Sequence, residues 1–175
     1  MTSPERRVRG KLGEAWIEME VKGLLLDPSS STPVVVLRSV GGHLLLPIWI
    51  GLPEANAIAV AIEAIELQRP MTHDLLRASI EALGGALERV EIARLVEATF
   101  HARLYLAREG EATVTVDARA SDAIALAVRT GTSIWVAREV LEEALRADPE
   151  PEAEPEDLRA WLERVRPEDL GKYKM

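Results

Sequence analysis

The segment Asp117–Asp122, D-A-R-A-S-D, brings two carboxylates, a guanidinium and a hydroxyl together within six residues. Carboxylates are preferred ligands of hard divalent cations, and guanidinium groups pair with phosphate oxygens. An apolar stretch follows as far as Arg129 and predicts a buried helix over 121–130, whose N-terminal N–H groups attract anions. These residue types suit phosphodiester chemistry. A helix cap at Ser121, with Asp122 in the first turn, explains the last two residues equally well.

A second polar cluster, R-P-M-T-H-D, begins at Arg69. It contains Thr72 as a predicted N-cap, His73 as a base able to activate water, and Asp74 in the first turn of a helix. Capping alone accounts for Thr72 and Asp74, and a first-turn histidine is commonly only an exposed side chain. Glu54, at the start of another predicted helix, is open to two interpretations, as a partner of the helix dipole or as a metal ligand.

The elements that would position these clusters predict an α+β fold. Alternation of apolar residues from Ile17 to Val21 predicts a strand, and Gly41–Gly42 predicts the turn of a hairpin. The helix over 53–67 is apolar nearly all round, so we expect it to be buried between other elements. The remaining expected elements are a hairpin of 33–39 with 43–50, helices over 72–85 and 138–146, and strands at 86–97, 99–108, 112–117 and 133–137. Strands and helices in such blocks are typical of a single compact domain with a largely antiparallel or mixed β-sheet and buried helices.

The register of the hairpin formed by 99–108 and 112–117 can also be predicted. Even-numbered residues are the apolar ones in both strands, so paired residues must share parity if both strands face one core. A three-residue loop over 109–111, with Gly110 at positive φ, satisfies this condition. The expected pairs are Arg103 with Asp117 and His101 with Arg119.

Composition limits the classes of function. Residues 14–147 contain 12 basic and 19 acidic residues, a net charge of −7, so a broad basic face for a nucleic-acid backbone is not expected. Contact with nucleic acid would have to rely on a local arginine cluster or on metal ions. The aromatic content of 4% is too low for a base-stacking platform, and the lack of cysteine excludes disulfides and thiolate metal sites. The P-loop, dinucleotide-binding and His-Glu-x-x-His motifs are missing from the sequence.

The chain divides into four predicted parts. A basic extension over 1–13 precedes the domain at 14–147, an acidic proline-rich linker follows at 148–157, and a short helix or tail occupies 158–175. Trp161 is expected to dock that last helix on the domain or on another subunit. The first residues lack the apolar stretch of a secretory signal, and no apolar run approaches the roughly 18 residues of a membrane span. We therefore expect a cytoplasmic protein without membrane contact.

Four segments occur in an order that resembles the bifunctional nuclease domain of bacteria and plants: G-L-P-E-A-N-A-I-A, R-P-M-T-H-D-L-L, A-T-F-H-A-R-L-Y-L and D-A-R-A-S-D-A-I-A-L-A-V-R-T-G-T-S-I-W-V. The resemblance covers roughly residues 16–145 and implies a compact α+β domain that self-associates and hydrolyses both RNA and DNA. Ala120 stands where the family usually has proline, and His101 stands where it usually has an aromatic residue. By position, the motif residues of the family fall on Glu54, Arg69, Thr72, His73, Asp74, Arg103, Asp117, Arg119, Ser121 and Asp122.

These observations predict a nuclease that hydrolyses phosphodiester bonds of RNA, DNA or both with the help of Mg²⁺ or Mn²⁺. The predicted metal ligands are Glu54, Asp74, Asp117 and Asp122. The predicted catalytic residues are His73 as general base, Arg69 and Arg119 as phosphate-holding groups, and Asp122. The predicted substrate-binding residues are Arg103, Ser121 and Thr72.

The alternative prediction is a non-catalytic, self-associating binding or regulatory module. In that case the same side chains form helix caps and a network in which Asp117 pairs with Arg119 or Arg103, and the cleft binds a small anion or a protein partner. A homo-oligomer is expected in either case, because Trp16, Trp49 and Trp135 provide apolar surface that one small domain does not readily bury.

Overall fold

The computed structural model describes residues 15–147. They form seven strands and four helices. The elements are β1 (Trp16–Leu26), β2 (Pro33–Ser39), β3 (Leu45–Trp49), α1 (Leu52–Ile62), α2 (Thr72–Ala82), β4 (Gly85–Val96), β5 (Thr99–Arg108), β6 (Val114–Arg119), α3 (Ala120–Thr130), β7 (Ile134–Ala137) and α4 (Arg138–Ala147). The predicted parts at 1–13, 148–157 and 158–175, with Trp161, lie outside the described residues.

All seven strands belong to one sheet, in the order β3-β2-β1-β7-β4-β5-β6. Strands β4 and β7 pair in parallel and every other neighbouring pair is antiparallel. This confirms the predicted α+β class with a mixed sheet. Because β6 lies at one edge and β7 lies in the middle, α3 must cross the sheet, and it contacts β4 and β5 on the way. The crossover places the first turn of α3 beside the edge strand that leads into it.

Helix α3 is buried as its sequence predicts. Ala120, Ser121 and the five residues Ala123–Ala127 are all buried, which leaves Asp122 as the more accessible residue of the first turn. Burial on all sides fixes the helix rigidly against its neighbours. The position of its N-terminal turn is therefore set by the core of the domain.

The expectation for α1 was wrong in two respects. The helix ends at Ile62 instead of residue 67, because Ala64 adopts the left-handed conformation with φ 50°, which a right-handed helix cannot include. It buries Ala55, Ala57 and Ile58 but leaves Leu52 and Ile62 about half exposed. Among the described residues α1 packs on α3 and β2, so its outer side is not covered.

The predicted hairpin register is confirmed, since Arg103 pairs with Asp117 and His101 pairs with Arg119. Gly110 has φ +74° as expected, but the loop is longer than three residues, because β5 ends at Arg108 and β6 begins at Val114. The apolar residues of β5 face the core. Val114 and Val116 of the edge strand β6 remain exposed, which corrects the expectation that they share this core.

Two predicted helix caps are also wrong. Thr72 is the first residue of α2 and Met71 is its N-cap, while Arg119, not Ser121, is the N-cap of α3. Neither N-cap side chain makes a capping hydrogen bond. In α2 the backbone N–H of Met71 instead donates to Asp74 Oδ2 at 2.9 Å. No helix in residues 15–147 is both long and apolar enough to span a membrane.

Candidate functional site

The N-terminal turns of three helices meet beside the β6 edge of the sheet. Glu54 lies in the first turn of α1, His73 in the first turn of α2 and Asp122 in the first turn of α3, with Arg119 at the junction of β6 and α3. Both α1 and α2 pack on α3, which brings these turns together. We call Glu54, His73, Arg119 and Asp122 the His73 cluster.

Asp122 is the centre of the His73 cluster. Its Oδ1 lies 3.0 Å from His73 Nε2, and its Oδ2 accepts a hydrogen bond of 2.7 Å from Arg119 Nε. Arg119 Nη2 donates to Asp122 Oδ1 at 3.1 Å and lies 3.0 Å from Glu54 Oε1. The guanidinium of Arg119 therefore joins two carboxylates, one of which also holds the imidazole.

The four side chains differ strongly in burial. The His73 side chain is 11% exposed, that of Asp122 is 31% exposed, and that of Arg119 is 65% exposed. Glu54 is largely covered. The cluster thus has a buried imidazole at one end and an accessible guanidinium at the other.

Electrostatics fix the charge states of Asp122 and Arg119. Burial alone would raise the pKa of Asp122, but hydrogen bonds from Arg119 and His73 and the charge of Arg119 outweigh it, so the pKa is lowered. The hydrogen bond to Asp122 and its negative charge raise the pKa of Arg119. Because Asp122 is ionised and only accepts, His73 Nε2 must carry the hydrogen between them.

The second ring nitrogen of His73, Nδ1, does not take part in the contact with Asp122. Nδ1 has no hydrogen-bond partner within residues 15–147. When Nε2 carries the hydrogen of a neutral imidazole, Nδ1 has the lone pair that accepts a proton.

Gly51 allows the observed position of Glu54. The Glu54 side chain folds back over the N-cap of α1, and a Cβ at Gly51 would clash with Glu54 Oε2. The φ of Gly51 is −71°, which any residue can adopt. Glycine at this position therefore accommodates the observed approach of the carboxylate, and the backbone itself does not call for it.

Asp74 belongs to a different pair from its neighbour His73. Asp74 Oδ1 accepts a hydrogen bond of 2.7 Å from Arg129 Nε, and the Arg129 side chain is 3% exposed. Burial would raise the pKa of Asp74, but the bonds from Arg129 and from the Met71 N–H outweigh it and lower the pKa. We call Asp74 and Arg129 the Arg129 pair.

The other predicted site residues do not join the His73 cluster. Asp117 and Arg103 face each other across β6 and β5, both exposed and without a side-chain hydrogen bond between them, and the side chain of Asp117 does not pair with Arg119. Arg69 is exposed in the loop between α1 and α2. Thr72 is exposed, and Ser121 is buried inside α3.

The four predicted metal ligands are not arranged as one metal site. Residues 15–147 contain no group of three or more histidine or acidic side chains placed to hold a metal ion. Glu54 and Asp122 are joined by Arg119, Asp74 is joined to Arg129, and Asp117 lies on the exposed strand. The four carboxylates, as they are arranged, do not form a binding site for a divalent cation. A role for Mg²⁺ or Mn²⁺ remains a prediction from the sequence.

Sequence reasoning missed Arg129. The available signal was a single charged residue in the last turn of an otherwise apolar buried helix. A buried guanidinium needs an anionic partner nearby, so its position calls for a carboxylate from another element. The identity of that carboxylate, Asp74, depends on how α2 packs on α3 and is not encoded in local spacing.

Comparison of the sequence with known proteins identifies a family. A sequence model of the bifunctional nuclease domain matches residues 35–148, which include the whole His73 cluster. The chain belongs to the bifunctional nuclease domain family. Its relatives include an uncharacterized protein of Mycobacterium tuberculosis strain H37Rv, 39% identical over 163 residues, which are 87% of this chain and 97% of that protein.

Plant members of the family are more distant and longer. Bifunctional nuclease 1 of Oryza sativa subsp. japonica is 31% identical over 118 residues, which are 66% of this chain and 36% of the rice protein. Bifunctional nuclease 1 of Arabidopsis thaliana is 28% identical over 116 residues, which are 65% of this chain and 36% of that protein. The matched region is thus about a third of each plant protein.

Proposed function

We propose that the protein hydrolyses phosphodiester bonds of RNA or DNA at the His73 cluster. The observation that carries the proposal is the hydrogen bond from His73 Nε2 to the ionised Asp122, next to the exposed guanidinium of Arg119. Family membership supports it, because the plant relatives are named as nucleases. Nucleic acid is accordingly the proposed partner of the cluster.

His73 is the proposed general base. Asp122 accepts the Nε2 hydrogen, which holds the ring in one orientation and leaves the Nδ1 lone pair directed away from the carboxylate. Nδ1 would take a proton from a water molecule as that water attacks phosphorus and the bond from phosphorus to the leaving sugar oxygen breaks. The imidazolium would return the proton through water to that oxygen. The negative charge of Asp122 would then stabilise the imidazolium that forms.

Arg119 is the proposed phosphate-binding residue. A guanidinium has five N–H donors, and the contacts of Arg119 with Asp122 and Glu54 use only Nε and Nη2. The two hydrogens of Nη1 have no partner within residues 15–147, so they can donate to a phosphate oxygen without breaking the cluster. The 65% exposure of the side chain leaves room for that phosphate.

A second candidate function is a binding module without catalysis, and one observation favours it. Arg119 is already paired with two carboxylates, so the cation of the cluster is neutralised before any ligand arrives. In that case the Nη1 donors would bind an anion and no bond would be cleaved. The two functions make the same prediction for binding and opposite predictions for cleavage.

Cleavage of end-labelled single-stranded RNA and DNA by wild type and His73→Gln distinguishes them. Glutamine keeps a hydrogen-bond donor near Asp122 but cannot act as a base at neutral pH, so the cleavage rate should fall by about 100-fold or more. His43→Gln, at an exposed histidine, is the matched control and should cleave like wild type. Each protein is purified identically and assayed with and without Mn²⁺, because the cation stays a prediction.

Equal cleavage by wild type and His73→Gln would place the activity in a contaminant or at another site. Oligonucleotide binding without cleavage in wild type, measured by fluorescence anisotropy, would favour the binding module.

We also propose self-association. Trp49 is about half exposed, and Leu52, Ile62 and Ile65 add apolar surface around α1 that is not covered by the described residues. Trp16 and Trp135, in contrast, are half-buried within the described chain. Light scattering at high micromolar concentration should give a mass above that of one chain. A monomer mass there would overturn the proposal.

A further inference from the structure

Three basic residues occupy paired positions across β6, β5 and β4. Arg119 on β6 is the Cα partner of His101 on β5, and His101 is the Cα partner of Arg94 on β4. Side chains of paired residues start from the same face of a sheet. Arg119, His101 and Arg94 therefore form a row across three strands that begins at the cation of the His73 cluster. We call these three residues the basic row.

The basic row starts from the face of the sheet opposite the core. Ala102 is buried in the core, and Phe100 and Leu95 pack against it. Because side chains alternate between the two faces along a strand, the neighbouring residues His101 and Arg94 point away from the core. Arg94 is exposed and His101 is half-buried, so both are within reach of a ligand on this face.

Arg103 extends this surface along β5. It is exposed and lies two residues beyond His101, hence on the same face. Most arginines of the described residues are held in ion pairs, but the side chains of Arg94 and Arg103 have no ion pair or hydrogen bond within residues 15–147. Their donors are therefore available to an anion.

Little free negative charge lies beside these arginines. Glu91, the Cα partner of Arg103 on β4, is buried and accepts hydrogen bonds from Arg89 Nε at 2.8 Å and from the Tyr105 hydroxyl at 2.6 Å. Asp117, which faces Arg103 from β6, is the one unpaired carboxylate among the Cα partners of Arg94, His101 and Arg103. A domain with a net charge of −7 needs a local cluster of arginines to hold a nucleic-acid backbone, and this surface provides one.

We propose that a single strand of RNA or DNA lies along the basic row, with one phosphate on Arg119, the next phosphates on His101 and Arg94, and a further contact to Arg103. The inference rests on the proposed function, because it continues the strand from the phosphate held by Arg119. Neighbouring strands of a sheet are about 4.8 Å apart, so the row spans about 10 Å between the Cα atoms of Arg119 and Arg94 and suits successive phosphates. The contacts are to the backbone, so binding is independent of base sequence.

The salt dependence of binding tests the basic row. Fluorescence anisotropy follows labelled oligouridylate and oligothymidylate in EDTA, with the full chain carrying His73→Gln so that the probe stays intact. For a single strand, the logarithm of the binding constant falls against the logarithm of salt concentration with a slope of about 0.7 per phosphate contact. Adding Arg94→Gln should weaken binding several-fold at low salt and reduce that slope by about 0.7.

Lys22→Gln is the matched control. Lys22 is an exposed cation on β1 that also has no ion pair within the described residues, and its replacement changes the net charge by the same amount. It should leave the slope unchanged. Equal slopes for Arg94→Gln and Lys22→Gln would overturn the row, as would the absence of saturable binding of either probe. Thermal melting checks that each variant is folded.

Asp117→Asn should have the opposite sign. It removes the one unpaired carboxylate beside Arg103, so binding in EDTA should tighten by up to a few-fold. Weaker or unchanged binding would overturn the contact at Arg103.

Cleavage by protein that retains His73 separates this inference from the proposed function. Arg94 lies away from the reacting phosphate, so Arg94→Gln should lower kcat/KM several-fold through KM and leave kcat nearly unchanged. Cleavage that depends on His73 but has an unchanged KM in Arg94→Gln would overturn the basic row and leave the proposed function intact. Binding that depends on Arg94 without any cleavage by wild type would support the row and overturn the nuclease activity.

Discussion

His73 and Asp74 are consecutive residues that belong to two different ionic groups. In the His73 cluster, Asp122 pairs with Arg119 at 2.7 Å, and the Arg119 side chain is 65% exposed. In the Arg129 pair, Asp74 and Arg129 are also 2.7 Å apart, but Arg129 is 3% exposed. The two ion pairs therefore have the same length, but one is exposed to solvent and the other is buried. They lie beside adjacent residues of α2.

The difference in burial determines what each pair can do. Water solvates Arg119 when its pairing changes, so a phosphate can take up its free donors at little cost. Arg129 has no such alternative, because a buried guanidinium without its carboxylate is strongly unfavourable. We infer that the exposed pair is available for function and that the buried pair fixes α2 on α3.

Replacement of Asp74 by asparagine should have the largest effect on stability. It leaves Arg129 buried without an anion, a loss of about 3–5 kcal/mol for a fully buried pair, reduced here to about 2–3 kcal/mol because the Asp74 side chain is 36% exposed. Asparagine also still accepts the Met71 N–H. Urea unfolding measures the change in free energy. A loss below that of Asp122→Asn would contradict the distinction between the two pairs.

Acid should weaken both pairs. The folded-state pKa values of Asp74 and Asp122 lie below the ordinary value of 3.8, so their contribution to stability is complete above that value and disappears as the pH falls through the lowered values. The free energy of unfolding should therefore decrease below about pH 4. In Asp74→Asn the decrease between about pH 4 and pH 2 should be shallower than in wild type. Parallel curves would show that Asp74 does not contribute.

Of the changes considered so far, replacement of Gly51 by alanine should have the smallest effect on stability, although it disturbs the His73 cluster. The backbone accepts alanine, but the new Cβ must push the Glu54 carboxylate away and so remove one partner of Arg119. The change in unfolding free energy should stay within about 1 kcal/mol, and cleavage should fall several-fold. Gly23→Ala is the control, since a Cβ there meets no atom within 4 Å. Equal cleavage by both variants would show that the position of Glu54 is unimportant.

The parts of the structure that follow from periodicity could be predicted from the sequence. The all-apolar run after Asp122 fixes α3 as a buried helix, and the parity of apolar residues fixes the register of Arg103 with Asp117. These features depend on which face of an element is apolar, and that is a local property.

The features that failed depend on tertiary contacts. Thr72 and Ser121 have the residue types of caps, yet the chain enters each helix one or two residues earlier, and Asp74 takes the capping role in α2. The choice of Arg129 as the partner of Asp74 follows from the packing of α2 on α3. The apolar composition of α1 predicted burial on all sides. It could not show that the outer side of α1 lacks a neighbour within the described chain.

The most direct test of the central claim measures unfolding and cleavage together for Asp122→Asn. Arg119 stays solvated when Asp122 loses its charge, so stability should fall by only about 0.3–1 kcal/mol. The imidazole would lose its anionic partner, so cleavage of single-stranded RNA or DNA should fall by about 100-fold or more. Glu142→Gln, in an exposed pair on α4, should change neither quantity. Unchanged cleavage by identically purified Asp122→Asn would contradict the assignment of function to the His73 cluster.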